Sequence, residues 1–289
     1  MGVVEPWTEQ KEECVDKLII NLACTGMVPT KVDNPYVPVT PDEIAHDCRC
    51  CYQAGASVLH LHARQKDGVP TYRPDIYEEI ICKVRGCCPE AIICVSTSGR
   101  KFPRFEDRSA VLDLEGQAKP DMASLTLGSL NFPKQASVNE PAMIRRLAEK
   151  MRDRGIIPEL EVFDIGMVDY ATYLIRKGFL REPLYFNLLL GSLGTLSATP
   201  FNLATLVRSL PGSATWSATG IGRFQFAMNS LGIVMGGHVR VGLEDNLFFD
   251  SKKKQPATNL GLVERLANLA AAVGRAVATP QEARAMIGV

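Results

Sequence analysis

The stretch Ser57-Val58-Leu59-His60-Leu61-His62-Ala63-Arg64 decides both the fold and the site that the sequence predicts. Apolar residues flank two histidines at positions i and i+2, which is the spacing of side chains on one face of a β-strand. At a rise of ~3.3 Å per residue, the two imidazoles lie roughly 7 Å apart at their roots and can lean together to bind one metal ion. Two core histidines with hydrogen-bonding partners are the simpler alternative, but their burial is costly unless both rings find such partners, so we favour a metal site.

Outward from this stretch, strand-like and helix-like patterns alternate along the chain. Strands are predicted at residues 17–23, 57–62, 91–96, 122–127, 157–163, 183–190, 214–218 and 238–243. Helices are predicted at residues 40–54, 75–85, 105–118, 137–154, 165–177, 199–210, 223–235 and 259–277. Eight strands, each followed by a helix, predict an α/β fold of the (β/α)₈ TIM barrel type.

A doubly wound open sheet is the alternative architecture. It is disfavoured because no Gly-x-Gly-x-x-Gly follows the first strand, and Ala23-Cys24-Thr25-Gly26 is not a phosphate-binding fingerprint. We therefore expect a single barrel domain over residues 1–289. Residues 1–16 would be an N-terminal extension, and residues 246–289 a C-terminal loop and helices.

The charge balance, the lack of long apolar runs and the cysteine content limit the partners and the compartment that we expect for this protein. The 32 Lys+Arg balance the 32 Asp+Glu, which argues against nucleic acid or an anionic membrane as the main partner. No apolar run reaches the ~20 residues that span a bilayer, and the acidic start predicts no secretory signal. The nine cysteines are odd in number and match no Cys-x-x-Cys zinc knuckle, so we expect reduced thiols in the cytoplasm.

In a TIM barrel, chemistry collects where the strands end at the carboxyl side of the barrel. The convergence of polar residues at those ends predicts a metal site surrounded by acid/base groups. In strand order these residues are Thr25; His60 and His62; Ser96, Thr97, Ser98 and Gly99; Ser124 and Thr126; Glu159, Glu161 and Asp164; Asn187; Trp216 and Ser217; and Arg240, Glu244 and Asp245.

The last strand supplies two candidates for a third metal ligand, His238 and Glu244. They are six residues apart, about 20 Å on an extended strand, so they cannot share one metal ion. Glu244 lies at the carboxyl end, as His62 does, and is therefore the predicted ligand. Asp245 is then a free carboxylate near the metal that Arg240 orders or pairs with; a purely structural Arg240–Asp245 ion pair is the alternative.

With these residues in place, the chain resembles the β-keto acid cleavage enzymes. The most specific pieces are the His-x-His and the run Gly236-Gly-His-Val-Arg-Val-Gly-Leu-Glu-Asp-Asn246. Weaker pieces match in order over nearly the whole chain, including Ala23-Cys-Thr-Gly26, Thr40-Pro-Asp-Glu-Ile-Ala45, Ser96-Thr97-Ser-Gly99, Pro158-Glu-Leu-Glu-Val-Phe163-Asp164 and Ala278-Thr-Pro-Gln-Glu-Ala-Arg284.

The resemblance implies a TIM barrel that holds Zn²⁺ through His60, His62 and Glu244. It also implies a base at Asp245 that works with Arg240, and a polar substrate contact at Ser96. The implied reaction converts a β-keto acid and acetyl-CoA into acetoacetate and a new acyl-CoA, in an enzyme that tends to be a homotetramer. Glu159 or Glu161 is expected to assist proton handling. Further substrate contacts are expected at Thr25, Val28, Thr97, Gly99 and Ser124.

The first loop departs from the pattern of the aminohexanoate-cleaving members, which carry a glutamate after Gly-Ala. Here the loop reads Gly26-Met27-Val28-Pro29. Because Val28 would leave a substrate ammonium unpaired, the side chain of the keto acid is predicted to be neutral or apolar.

Two basic clusters are candidates for binding the phosphates of CoA. One contains Arg100, Lys101, Arg104 and Arg108, and the other is Lys252-Lys253-Lys254. A solvated surface is the alternative for both clusters, since exposed charges usually have that role.

Two competing functions remain open. A metal-dependent hydrolase of the amidohydrolase type also uses His-x-His on a barrel strand, but it needs further histidines at later strand ends. His46 lies in a predicted helix and His238 at the wrong end of its strand. A non-catalytic, metal-stabilised barrel would be expected to offer four protein ligands, whereas three converge here.

Overall fold

Eight short, apolar segments pair in parallel and close into a barrel in the computed structural model, which describes residues 16–289. The TIM barrel prediction is therefore confirmed. Of the predicted extension at 1–16, all but the last residue lies outside the described residues. The barrel strands are β1 Ile20–Ala23, β2 Ala56–Leu61, β3 Ile92–Val95, β4 Met122–Thr126, β5 Ile157–Val162, β6 Tyr185–Leu190, β7 Thr215–Gly220 and β8 His238–Val241.

Helices cover the outside of the barrel, and several begin at signals that the sequence carries. Thr40 and Thr279 each form a capping box with the glutamate three residues later and precede a proline at the first helical position. The helices are α1 Pro41–Gln53, α2 Pro74–Cys87, α3 Phe105–Ser109, α4 Pro141–Arg154, α5 Ile165–Arg176, α6 Pro200–Ser209, α7 Gln225–Val234, α8 Asn259–Ala272 and α9 Pro280–Ile287.

Three predicted helices differ from those observed. The helix predicted at 105–118 ends at Ser109 and is followed by two short 3₁₀ turns. Extended backbone at Leu114 and Glu115, followed by a φ of +57° at Gly116, separates the two turns. The helix predicted at 137–154 begins only at Pro141. The helix predicted at 259–277 ends at Ala272, two residues before Gly274, whose φ of +76° is left-handed.

The barrel interior changes from apolar to polar along the strands. At the amino-terminal end, Val58 and Ile92 belong to a buried cluster that α9 completes with Ala283 and Ile287. Two residues further along β2, on the same face as Val58, comes His60. The apolar end is thus sealed by α9, and the polar side chains are left to face the open, carboxyl end.

Two small hairpins extend the rim beyond β2 and β4. One pairs Ala63–Arg64 with Pro70–Thr71, and the other pairs Leu130–Asn131 with Ala136–Ser137. The sequence patterns did not predict either. Helix α8 packs on the barrel and α1. Within residues 16–289, the structure contains no helix with the length and apolar character that crossing a membrane requires.

Candidate active site

Two imidazoles and one carboxylate meet at the carboxyl end of the barrel. The Nε2 atoms of His60 and His62 are 3.3 Å apart. Oε1 of Glu244 lies 3.1 Å from Nε2 of His62, and its Oε2 is buried without a hydrogen-bond partner among the described residues. The three side chains predicted from the sequence as metal ligands therefore converge on one point.

This donor set fits a zinc ion. Tetrahedral zinc with bonds of roughly 2.0–2.1 Å to nitrogen and oxygen places its ligand atoms about 3.3 Å from one another, close to the spacing found here. Burial lowers the pKa of His62, which favours the neutral imidazole that a metal requires. Three protein ligands leave a tetrahedral position for a substrate atom.

Glu159 lies below the tripod and fixes His60. Its Oε2 is 2.7 Å from Nδ1 of His60, so the ring donates its Nδ1 hydrogen and keeps Nε2 free for the tripod. Asn21 donates to the other carboxylate oxygen at 2.7 Å. Burial by itself raises the pKa of Glu159, but His60, Arg240 and Asn21 together lower it to about 2, which keeps the carboxylate ionised.

Cys94 offers a second triple of donor atoms with His60 and Glu159. Burial, together with the negative charge of Glu159, raises the pKa of the Cys94 thiol well above its usual value. The thiol donates to Glu159 at 3.4 Å. Because Cys94 and His60 both donate to Oε2 of Glu159, the three side chains form a hydrogen-bonded support for the His60 ring.

Arg240 joins the tripod to the neighbouring carboxylates. Its Nε donates to Oδ2 of Asp245 at 3.0 Å, and its Nη2 lies 3.0 Å from Oε1 of Glu244. Its Nη1 contacts Glu161 at 3.3 Å and lies 3.7 Å from Glu159. Burial lowers the pKa of Arg240, but these four carboxylates raise it well above the usual value, so the guanidinium stays charged.

The carboxylates beside Arg240 differ in proton affinity. Burial raises the pKa of Asp245 and of Glu161, and the charge of Arg240 opposes both shifts. The pKa of Glu244 lies well below its usual value, because His62 and Arg240 outweigh the effect of burial. Glu244 is therefore suited to ligation and Asp245 to accepting a proton.

A cavity of about 860 Å³ opens above these groups and contains His62, Glu161, Arg240, Glu244 and Asp245 in its wall. Ser96 and Val28, both predicted to contact substrate, also line it. The remaining wall is mixed, and its apolar part includes Met27, Leu130, Phe132, Phe163, Leu189, Ile221, Leu247 and Phe248.

Four of the predicted substrate contacts do not line this cavity within the described part of the chain: Thr25, Thr97, Gly99 and Ser124. Thr97 and Ser124 satisfy each other, since the Thr97 hydroxyl donates to the Ser124 carbonyl at 2.5 Å. A Cβ at Gly99 would lie 2.6 Å from Nη1 of Arg108, so this glycine makes room for a buried arginine. Thr25 is buried and contacts Cys24.

The basic clusters are divided by the structure. Arg108 is buried and donates to the Thr97 carbonyl and to Asn139, both at 2.7 Å. Its guanidinium is therefore not available to the phosphates of CoA. Arg104 is exposed and lies 3.9 Å from Glu106. Arg100 and Lys101 from the first predicted cluster and Lys253 from the second line the cavity. Lys134, which the sequence patterns did not single out, lines it as well.

The first loop is anchored by Arg64, which the sequence indicated only as part of a longer motif. Nε and Nη2 of Arg64 both donate to the Gly26 carbonyl, at 3.1 and 2.6 Å, and Nη1 donates to the Gly68 carbonyl. Val28, two residues after Gly26, is half-exposed at the cavity. The His-x-His-Ala-Arg spacing was the signal that could have identified this anchor.

The remaining histidines lie elsewhere. His238 accepts a hydrogen bond from the Ile19 backbone N–H at 3.0 Å, at the amino-terminal end of the barrel, and His46 is exposed on α1. Among the described residues, His62 is therefore the one histidine that lines the cavity. Asp164 caps α5 by accepting from the Gly166 N–H.

Comparisons with known proteins identify the family of the chain. Residues 17–289 match the family model described as beta-keto acid cleavage enzyme. The chain is 42% identical over 277 residues to the 3-keto-5-aminohexanoate cleavage enzyme of Acetoanaerobium sticklandii, covering 95% of this chain and 99% of the relative. It is 38% identical over 274 residues to the 3-oxoadipate:acetyl-CoA acetyltransferase of Cupriavidus necator, covering 93% and 94%.

Among solved structures, the ternary complex of ObcA with a C4-CoA adduct and oxalate is similar, with a TM-score of 0.79 and 25% identity. The alignment covers 88% of this chain and 68% of ObcA. With a match to the family model over nearly its whole length, this chain belongs to the β-keto acid cleavage enzyme family and is an enzyme of that family.

Proposed function

We propose that this enzyme transfers acyl groups between a β-keto acid and acetyl-CoA, giving acetoacetate and a new acyl-CoA, and that it uses zinc. One observation carries the proposal: His60, His62 and Glu244 bring their donor atoms together, and two of them, His62 and Glu244, line the same cavity as the Arg240-bound Asp245. The names of the relatives, which specify acetyl-CoA as a substrate, support the same reaction class.

Asp245 is the proposed base. The C2 hydrogens of a β-keto acid are acidic because they lie between the ketone and the carboxylate. Asp245 would remove one of them, and its raised pKa strengthens it as a base. Arg240 holds both oxygens of this carboxylate, at 3.0 and 3.4 Å, which orients it before the substrate arrives.

The tripod has a separate task. Zinc held by His60, His62 and Glu244 would supply Lewis-acid stabilisation for negative charge that develops on a ketone. The Ser96 hydroxyl, which lines the cavity, would hold the substrate carboxylate or an oxyanion. Glu161, which accepts from Thr126 at 2.6 Å, is the proposed assistant in proton handling because it lines the cavity and Glu159 does not.

The remaining steps conserve all atoms of the two substrates. The C2 carbanion attacks the thioester carbonyl of acetyl-CoA, a C–C bond forms, and the CoA thiolate leaves. The thiolate then attacks the original ketone, and the C2–C3 bond breaks. The electron pair of that bond passes to the acetoacetate carbanion, which Asp245 reprotonates.

Acetyl-CoA would enter from the rim, where Lys101, Lys134 and Lys253 come from three different loops of the cavity. We propose that these exposed ammonium groups contact its phosphates. Replacing each lysine with methionine should raise the KM for acetyl-CoA and leave the KM for the keto acid unchanged.

The side chain of the keto acid is proposed to be neutral or apolar. Met27 and Val28, with Leu189 and Ile221 across the barrel, give the cavity an apolar stretch that offers no partner to an ammonium group. Asp33 also lines the cavity, but its carboxylate already accepts from the backbone N–H and the hydroxyl of Thr30. The relatives act on differently charged substrates by their names, so their preferences do not transfer by identity alone.

We further propose that the enzyme works in the cytoplasm as a homo-oligomer. The eight cysteines among the described residues are all free, which suits a reducing compartment. Exposed apolar side chains such as Leu193 and Phe201 offer surface for contacts between copies.

The test combines metal analysis with product identification. We expect the purified enzyme to contain zinc and to convert neutral β-keto acids and acetyl-CoA into equal amounts of acetoacetate and acyl-CoA, measured by mass spectrometry. Asp245→Asn should lower kcat on the order of 10²- to 10⁴-fold, whereas Asp113→Asn, on the exposed surface, should not. Hydrolysis of the substrate without CoA transfer would instead indicate the hydrolase alternative.

A further inference from the structure

Arg100 is a cation in the cavity wall that is not used by the tripod or the base. Its guanidinium carbon lies 3.4 Å from the centre of the Phe132 ring, so the two planar groups stack. Its Nε is shielded from solvent and has no hydrogen-bond partner among the described residues. Because that atom is closed off from the cavity, a ligand oxygen would reach Arg100 at its two Nη groups, which make no hydrogen bond to a described residue.

The position of Arg100 is fixed by the hairpin after β4. Gln135 donates through its side-chain amide to the Arg100 carbonyl at 3.0 Å, and the Phe132 N–H donates to the Gln135 carbonyl at 2.9 Å. Phe132 in turn packs edge-on against Phe163, with ring centres 5.8 Å apart. The guanidinium is therefore held in place before any ligand binds.

The acids nearest to Arg100 are already engaged. Both oxygens of Asp245 face Arg240, and Glu161 binds Arg240 and Thr126. Burial lowers the pKa of Arg100, and Glu244, Glu161 and Asp245 oppose that shift through their charges without accepting a hydrogen bond from it. Arg100 thus keeps its donors for an anion that enters the cavity.

We propose that Arg100 binds the C1 carboxylate of the β-keto acid. This inference rests on the proposed function, because every β-keto acid carries that carboxylate whatever its side chain. Ser96 and Ser98 line the cavity beside Arg100, and together they form a polar wall at the end of β3. With the carboxylate held at that wall, the keto oxygen would be directed toward the tripod and C2 toward Asp245, since His62, Glu244 and Asp245 line the same cavity.

A binding experiment tests this assignment without turnover. Acetoacetate and its uncharged methyl ester are titrated in the absence of CoA against the wild type and against R100M, R100K and R104M. We expect R100M to weaken acetoacetate binding on the order of 10- to 100-fold, with a smaller loss in R100K. The ester should bind all variants about equally, and R104M, on the exposed surface, should match the wild type.

Steady-state kinetics then distinguishes three anions that Arg100 could bind: the C1 carboxylate, a phosphate of CoA and a distal carboxylate of the keto acid. In R100M, kcat/KM for an alkyl β-keto acid should fall while the KM for acetyl-CoA stays unchanged. A rise confined to the KM for acetyl-CoA would overturn the proposal and assign Arg100 to CoA phosphates. Weaker binding confined to dicarboxylic keto acids would overturn it in favour of a distal carboxylate.

Failure of the proposed function has a different signature. If no keto acid is turned over, the titration with acetoacetate still reports on Arg100. Equal acetoacetate affinity in R100M and the wild type would overturn the assignment even in a fully active enzyme.

Discussion

A Cβ atom at Gly26 would lie 2.6 Å from Cγ of Glu244, so the first loop leaves room for this proposed metal ligand only because residue 26 has no side chain. Its φ of +69° adds a backbone constraint. Gly26→Ala should displace Glu244 and weaken metal binding at least about tenfold. Gly178→Ala is the matched control, since Gly178 has a φ of +76° and a Cβ there would meet no atom within 4 Å among the described residues. Equal metal affinity in both variants would contradict the prediction.

Glu159→Gln should weaken metal binding more than it weakens the fold. The neutral amide no longer stabilises the hydrogen that Nδ1 of His60 donates, so the ring loses basicity at Nε2. Loss of such a partner typically costs about 10- to 100-fold in metal affinity. Competition with a chromophoric chelator measures this, with the exposed Glu115→Gln as control. An unchanged metal affinity accompanied by lost activity would point instead to direct catalysis by Glu159.

Val28→Glu should shift the substrate preference toward a cationic side chain. The new carboxylate would enter the cavity wall and pair with an ammonium group, so kcat/KM for 3-keto-5-aminohexanoate should rise relative to that for an alkyl β-keto acid. Val32→Glu, in the same loop but 96% exposed, is the control that adds a charge elsewhere. A parallel change in both variants would show that general electrostatics, and not contact, is responsible.

His238 should make folding stability depend on pH. Burial and the charge of Arg275 lower its pKa from 6.5 to about 3. Between pH 3 and pH 6.5 the unfolded chain binds a proton at residue 238 that the folded chain does not bind. The contribution of neutral His238 to the free energy of unfolding is therefore complete above pH 6.5 and is lost as the pH falls toward 3. The slope is up to about 1.4 kcal/mol per pH unit.

Chemical denaturation at several pH values checks this dependence. His238→Asn can still accept from the Ile19 N–H but does not titrate, so its free energy of unfolding should vary less between pH 6.5 and 4. His46→Asn, at an exposed position on α1, should keep the wild-type slope. Identical slopes in all three proteins would exclude His238 as the titrating group.

The barrel was predictable because each strand is an apolar run with side chains of period two. That period places Glu159 and Glu161 on one face of β5, yet it does not give depth. The structure buries Glu159 under His60 and places Glu161 at the cavity. Depth depends on the stagger between neighbouring strands, which no single strand encodes.

The basic run after β3 also shows that the sequence pattern does not predict which side chains are buried. Arg100, Arg104 and Arg108 look equivalent in the sequence, but one lines the cavity, one is exposed and one is buried. Partners distant in sequence decide this outcome: Phe132 stacks on Arg100, and Asn139 accepts from Arg108. Both partners belong to the hairpin region that the sequence patterns did not predict.

The two hydrogen bonds from Arg64 to the Gly26 carbonyl divide the first loop into a fixed part and an exposed part. Its root, where Glu244 packs, is clamped, while Val28 projects from the part that solvent reaches. A substitution at position 28 is therefore expected to alter the cavity wall without moving Gly26 or Glu244, so that substrate preference and the proposed metal site could change independently of each other.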